Sequence, residues 1–224
     1  MILLVAATFN EIKPLYEKFI LINKVDNFFS NHQFNNKKID ILITGIGMTS
    51  TAYHIGKIAG KKNYDFAINL GIAGTFNKNF SLGDIVNVDS DIISEMGAEN
   101  GALFLKIDEM NIGKSQLDKT IYSIKNACQI SNPIIQKLPK VKGITVNTVH
   151  GNEESVGKII KLFNPDVETM EGAAFLHICN AEKITCVQIR AISNYVEQRN
   201  YAKWNIELAI EKLNETAFEI IKTL

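Results

Sequence analysis

The chain has 224 residues, 46% of them hydrophobic and 21% charged, with 24 basic residues balanced by 24 acidic ones. That length and composition suit a globular chain with a full core, read here as one domain over residues 1–224. Zero formal charge, with no basic run longer than two residues, argues against nucleic acid as a main partner. Cys128, Cys179 and Cys186 have no paired spacing, and the four histidines are scattered. No metal and no cofactor are therefore expected, and Cys179 and Cys186 read as small core side chains.

Met1 to Thr8 is apolar but carries no basic leader and is too short to span a bilayer. It predicts a buried first strand, no membrane partner and a cytoplasmic location. A helix should follow, starting close to Glu11 because Pro14 is tolerated only in a first turn. Short strands are expected over residues 24–43, broken at Asn35 and Asn36. Ile39 to Thr44 ends in Gly45-Ile46-Gly47, after which Thr49 or Ser50 should cap a helix to about residue 60. Phe66 to Leu70 predicts a third strand, ending in a turn at Gly71-Ile72-Ala73-Gly74. Strands are also expected from Gly83, from Val141 to Val149, from Asp166 to Met170 and from Ile184 to Ile192. Residues 95–115 read as loop and Asp118 to Ile130 as helix. Further helices are expected at Glu153–Phe163, Glu171–Glu182 and Lys203–Leu224. The alternation is that of an α/β fold, with ligands expected outside the carboxyl ends of its strands.

Several residues stand out against this frame. Only two of the basic residues are arginine, Arg190 and Arg199, and both lie near the single tryptophan, Trp204. Arg190 sits in an apolar strand and needs an acidic partner, for which Glu171 or Glu168 would serve. Glu11 suits a general base. It also completes a capping box with Thr8, a reading that Pro14 weakens. Glu171 suits either the start of a helix or a grip on vicinal hydroxyls. Asn194 is either a turn residue or an amide offering one donor edge and one acceptor edge to a ligand. The glycine stretches at 45–47 and 71–74 match neither dinucleotide nor P-loop patterns, which disfavours dinucleotide binding.

In this order, Glu11 after a strand, Gly45-Ile46-Gly47, Asn69-Leu70-Gly71-Ile72-Ala73-Gly74, Leu82-Gly83-Asp84-Ile85-Val86, Met170-Glu171 and Arg190-Ala191-Ile192-Ser193-Asn194 resemble the nucleoside phosphorylase/nucleosidase superfamily. Within it the chain is most similar to the futalosine hydrolase family of the alternative menaquinone pathway. That likeness rests on Met96-Gly97-Ala98-Glu99-Asn100-Gly101, Met170-Glu171-Gly172-Ala173-Ala174 and Ser193-Asn194-Tyr195-Val196-Glu197-Gln198-Arg199 followed by Trp204.

The resemblance implies a three-layer α/β/α fold with a mixed central sheet, a small-molecule nucleoside substrate and a homo-oligomer, dimer or tetramer. It implies that Glu11 activates water and that Met170 and Glu171 hold the ribose. Gly45, Ile46, Gly47, Ile72, Ala73 and Gly74 would line the substrate, with Arg190 and Ser193 in support. Asn194 would face the purine, Phe175 or Trp204 would line the pocket, and Arg199 is a candidate for the benzoate of futalosine.

Relatives that cleave adenine nucleosides carry aspartate where this chain has Asn194. Asparagine has no proton to give and suits the O6/N7 edge of hypoxanthine. Ile72 stands where relatives carry serine, and neither arginine matches the positions that bind phosphate in phosphorylases. Water is thus the expected nucleophile. A methylthioadenosine/adenosylhomocysteine or aminodeoxyfutalosine nucleosidase is the rival enzyme, marked by adenine release. An inactive nucleoside-binding protein is the rival of another class, marked by binding without turnover.

Overall fold

Strand β1 (Ile2–Ala6) is apolar at every position because both of its faces are covered. Leu4 and Ala6 join one hydrophobic layer with Ile12, Leu15, Leu213 and Ile220. Leu3 and Val5 join the other with Ile55, Phe175 and Leu176. The two-residue period of a strand thus splits the core into halves, each roofed by helices. Helices α1 (Phe9–Tyr16) and α6 (Ile206–Thr223) cover the first half; α2 (Met48–Ala59) and α5 (Gly172–Ala181) cover the second. The structure, a computed structural model, describes residues 1–110, 123–128 and 130–224.

The sheet runs β2 (Ile20–Lys24), β3 (Phe29–Phe34), β4 (Lys37–Ile43), β1, β5 (Phe66–Thr75), β12 (Cys186–Tyr195), β6 (Ile85–Ile93), β10 (Lys140–Thr145), β11 (Val167–Thr169). Strands β4, β1, β5 and β12 are parallel; β2–β3, β3–β4 and β12–β6 are antiparallel. β11 returns to pair with the end of β5, placing Val167 opposite Thr75 and Glu168 opposite Gly74. β5, β12, β6, β10 and β11 therefore close into a ring, and this curl brings β11 to the site. A short strand β9 (Ser123–Lys125) lies beside β6. The mixed sheet between helices is the architecture expected.

Several local expectations need correction. α1 begins at Phe9, two residues before Glu11, and so holds Pro14 at its sixth position, past the first turn to which it was expected to be confined. The helix is so short that one missing N–H interrupts little of its ladder. α2 is entered through Gly47 at φ 97°, with neither Thr49 nor Ser50 as cap; the Ser50 hydroxyl instead donates to the Thr44 carbonyl. Gly71 to Gly74 form no turn: β5 continues through them, since β12 pairs with it as far as Thr75. Residues 97–106 form a hairpin, β7 (Gly97–Asn100) and β8 (Leu103–Lys106), turned through Gly101 at φ 62°. Of the helix expected over 118–130, Ser123–Lys125 is strand, and residues 118–122 and 129 lie outside the described residues. Helix α3 (Pro133–Lys137) was not expected. Helix α4 (Glu153–Phe163) has the expected bounds, capped by the Asn152 side chain.

Candidate active site

A cavity of about 410 Å³ opens where β1, β4, β5, β10, β11 and β12 end, within the size range of small-molecule sites. Its wall includes Glu11, Ile46, Ile72, Ala73, Gly74, Met170, Glu171, Ser193, Asn194 and Arg199 from the expected set. Gly45 and Gly47 are not part of the wall.

Glu11 does both things its sequence position allowed. One carboxylate oxygen accepts from the backbone N–H and the hydroxyl of Thr8, each at 2.9 Å. The other accepts from the N–H of Ile72 at 3.2 Å. The capping-box contact thus forms despite Pro14, and it aims the carboxylate across to β5. At 9% exposure the residue is nearly closed off, yet it still faces the cavity.

Glu171 occupies the N-cap position of α5 but makes no cap bond with its side chain. It reaches instead to the N–H of Gly47 at 2.9 Å, which gives the glycine turn after β4 its part in the site. Burial pushes the Glu171 carboxyl up, and nearby Glu11 adds to this; Arg190 and the N–H groups of Gly47 and Met170 pull the other way.

Arg190 is fully buried, but the expected ion pair is absent. Its guanidinium donates to the Asn69 side chain, and among the described residues no carboxylate lies within 4.0 Å of it. Glu168 is taken by His150 and Glu171 by Gly47. Arg190 instead sits under Gly71, where any side chain would collide with it, and acts through space on Glu171, Glu11 and Asp91.

Asp91 lies fully buried on β6, accepting from the Thr145 hydroxyl at 2.8 Å and the Gln188 amide at 3.3 Å. Burial raises its pKa from 3.8 to about 6 against those bonds and Arg190. A carboxyl raised on folding counts against stability when ionised. The penalty is absent below pH 3.8 and complete above about pH 6. Asp91→Asn should therefore flatten the fall in stability across that window and leave the protein at least as stable as wild type at neutral pH. Gln188 Oε1, which has no partner among the described residues, can take the new N–H. Urea titrations at several pH values check this; a variant that keeps the wild-type slope would contradict it.

Asn194 owes its direction to a bulge. β12 pairs Ile192 with Ala73 and Asn194 with Gly74, leaving Ser193 as the extra residue, a device that re-aims side chains. The Ser193 hydroxyl donates to Asn194 Oδ1 at 2.8 Å, and Asn194 Nδ2 donates to the Tyr195 carbonyl at 3.1 Å. The second N–H of that amide is left for a ligand. At the cavity mouth the exposed Arg199 guanidinium lies over the rings of Tyr201 and Trp204, at 4.7 and 5.4 Å. Trp204 lines the cavity; Phe175 does not, being fully buried beneath α2. Among the described residues no group of His, Cys, Asp or Glu side chains is placed to hold a metal ion, and no helix is long and apolar enough to cross a membrane.

The family model of the phosphorylase superfamily matches residues 2–224. The chain belongs to that superfamily. Its relatives include the futalosine hydrolase of Thermus thermophilus, 25% identical over 77% of this chain and 76% of that protein. Another is the aminodeoxyfutalosine nucleosidase of Campylobacter jejuni, 25% identical over 86% and 85%. Among solved structures, an MTAN mutant of Helicobacter pylori with 5′-methylthioadenosine in its active site covers all of this chain and 98% of its own. Its TM-score is 0.82 at 17% identity, a likeness of fold.

This superfamily member also places residues in the wall that the sequence did not single out as ligand contacts: Ala7, Thr8, Val149, His150, Glu168 and Thr169. Val149 and His150 follow β10, so the rule that ligands gather at strand ends pointed to them. Glu168 reads in the sequence only as a partner for Arg190. Its actual partner, His150, is eighteen residues away in sequence, and the parallel pairing of β10 with β11 brings the two together.

Proposed function

We infer that this protein hydrolyses the N-glycosidic bond of futalosine, releasing hypoxanthine and dehypoxanthine futalosine in the alternative menaquinone pathway. The chain is an N-glycosidase. Glu11 orients and deprotonates water below C1′ of the ribose. The bond breaks through an oxocarbenium-like state, whose positive charge Glu11 and Glu171 stabilise. Glu171 holds the 2′ and 3′ hydroxyls and Met170 packs on the sugar. Arg199, with no carboxylate within 4.0 Å among the described residues, takes the benzoate at the cavity mouth. Water rather than phosphate is the nucleophile, because the two arginines are spent elsewhere: one buried under Gly71, one at the mouth. The protein works as one domain over 1–224, in a cytoplasmic homo-oligomer.

The observation that carries this reading is Asn194. Its oxygen accepts from the Ser193 hydroxyl and its nitrogen donates to the Tyr195 carbonyl, which leaves one N–H to donate to a ligand. A donor matches the O6/N7 edge of hypoxanthine, and Asn194 has no acidic proton to deliver to N7 of adenine. Asn194→Asp, which restores an acidic group, should move the ratio of kcat/KM for futalosine over aminodeoxyfutalosine toward the adenine compound by roughly 10–100-fold. Competition assays that separate hypoxanthine from adenine check this; an unchanged ratio would remove Asn194 as the reader of the base.

A further inference from the structure

We propose that His150, oriented by Glu168, is the acid that protonates the departing purine. This rests on the hydrolytic reading above and supplies the proton that Asn194 cannot give.

His150 stands on the cavity wall just beyond β10. Its ring Nδ1 is hydrogen-bonded to one oxygen of Glu168, and its backbone N–H donates to the other at 3.0 Å. One carboxylate, 4% exposed, therefore fixes both the main chain and the ring of a histidine that is itself 15% exposed. A carboxylate on Nδ1 fixes the ring and keeps a proton there, while Nε2 is turned the other way. Among the described residues Nε2 has no hydrogen-bond partner. The Phe76 ring meets the imidazole edge-on at 6.4 Å and helps hold its plane.

The topology carries this pair to the base end of the cavity. Gly74 on β5 is paired with Asn194 on one side and with Glu168 on the other. A Cβ on Gly74 would lie 3.1 Å from Asn194 Nδ2, and residues directly paired across strands send their side chains to the same face. Glu168 and Asn194 thus rise from the same face on either side of a residue with no side chain, about 10 Å apart by strand spacing. Asn194 and His150 line the same cavity, and on this proposal Asn194 stands at O6 and His150 at N7 of the base.

The proton count closes. Water gives one proton to Glu11 as its oxygen bonds to C1′. The C1′–N9 bond breaks and its electron pair moves into the purine. The Nε2 proton of the imidazolium passes to N7, while the Nδ1 proton stays on the bond to Glu168. Hypoxanthine leaves protonated at N7; Glu11 returns its proton to solvent, and solvent recharges His150.

The deciding experiment compares His150→Gln with wild type on two substrates: futalosine, and 4-nitrophenyl riboside, whose leaving group departs without a proton. The expected result is a loss of roughly 10²–10⁴-fold in kcat on futalosine with nitrophenyl riboside hydrolysis little changed. The second substrate also shows that the variant folds and keeps Glu11 and Glu171 in place. Glu168→Gln should lose less, in the same selective manner. Equal losses on both substrates, or no loss on either, overturn the proposal and leave His150 a structural pin for the segment after β10. A wild-type protein that spares futalosine but cleaves another purine nucleoside overturns the substrate assignment alone, and the same comparison is then read on that nucleoside. A wild-type protein that cleaves neither a purine nucleoside nor the riboside overturns both.

Discussion

Glu11→Gln should fold as wild type and lose hydrolysis by roughly 10²–10⁴-fold. The two halves of that expectation come from the two duties of one side chain. As a capping group, Glu11 accepts from Thr8 and Ile72, and glutamine fills the same place in capping boxes. The amide oxygen keeps one of those acceptor positions, so the change in stability should stay within about 1 kcal/mol. As a base, glutamine cannot hold the proton of an attacking water. A thermal melt and a rate measurement on the same preparation separate the duties. A rate near that of wild type would mean that another group activates the water. A collapse of the melt would mean that the cap dominates.

Arg190 should be the most damaging single position for stability. Replacing it with methionine removes the one cation that Glu171, Glu11 and Asp91 share, and it strands the Asn69 amide that now receives the guanidinium. Leaving buried charges uncompensated costs about 3–5 kcal/mol. The sign of the pH dependence follows from the carboxyls. Glu171 and Asp91 are already pushed up by burial, and losing Arg190 pushes them further. Each then counts against folding when ionised, so the destabilisation should be larger in mildly alkaline than in mildly acidic buffer. Denaturant titrations of Arg190→Met at two pH values check both the size and the sign. A variant within about 1 kcal/mol of wild type would mean that Asn69 alone, and not the carboxylates, defines the arginine's role.

The strands and long helices were legible because their apolar patterns answer to simple burial. β1 reads as apolar throughout since both faces are covered, and α6 shows its buried stripe at Ala209, Leu213, Ala217, Ile220 and Ile221. What was lost came from tertiary pairing that overrides local signals. Gly71 to Gly74 read as a turn, but pairing with β12 holds them in strand geometry, and residue 71 is glycine where Arg190 fills the space of a side chain. The hairpin at 97–106 has little apolar alternation on which to be recognised.

In the candidate site, Glu11, Met170, Glu171 and Asn194 were found as sequence features and do gather at one cavity. The partners they hold were not legible. Arg190 was matched with a carboxylate and sits instead against Asn69. The link from Glu171 to Gly47 spans 124 positions, and no local pattern reports it. The place of Glu168 beside Asn194 is not legible for the same reason: the return of β11 to β5 sets the two on either side of Gly74.

The most direct measurement is chromatographic identification of the base released from futalosine and from methylthioadenosine, each incubated with the protein in the presence and absence of phosphate. Free hypoxanthine is expected from futalosine at a rate that phosphate does not raise, with little adenine from methylthioadenosine. Adenine released readily from methylthioadenosine, with no hypoxanthine from futalosine, would contradict it.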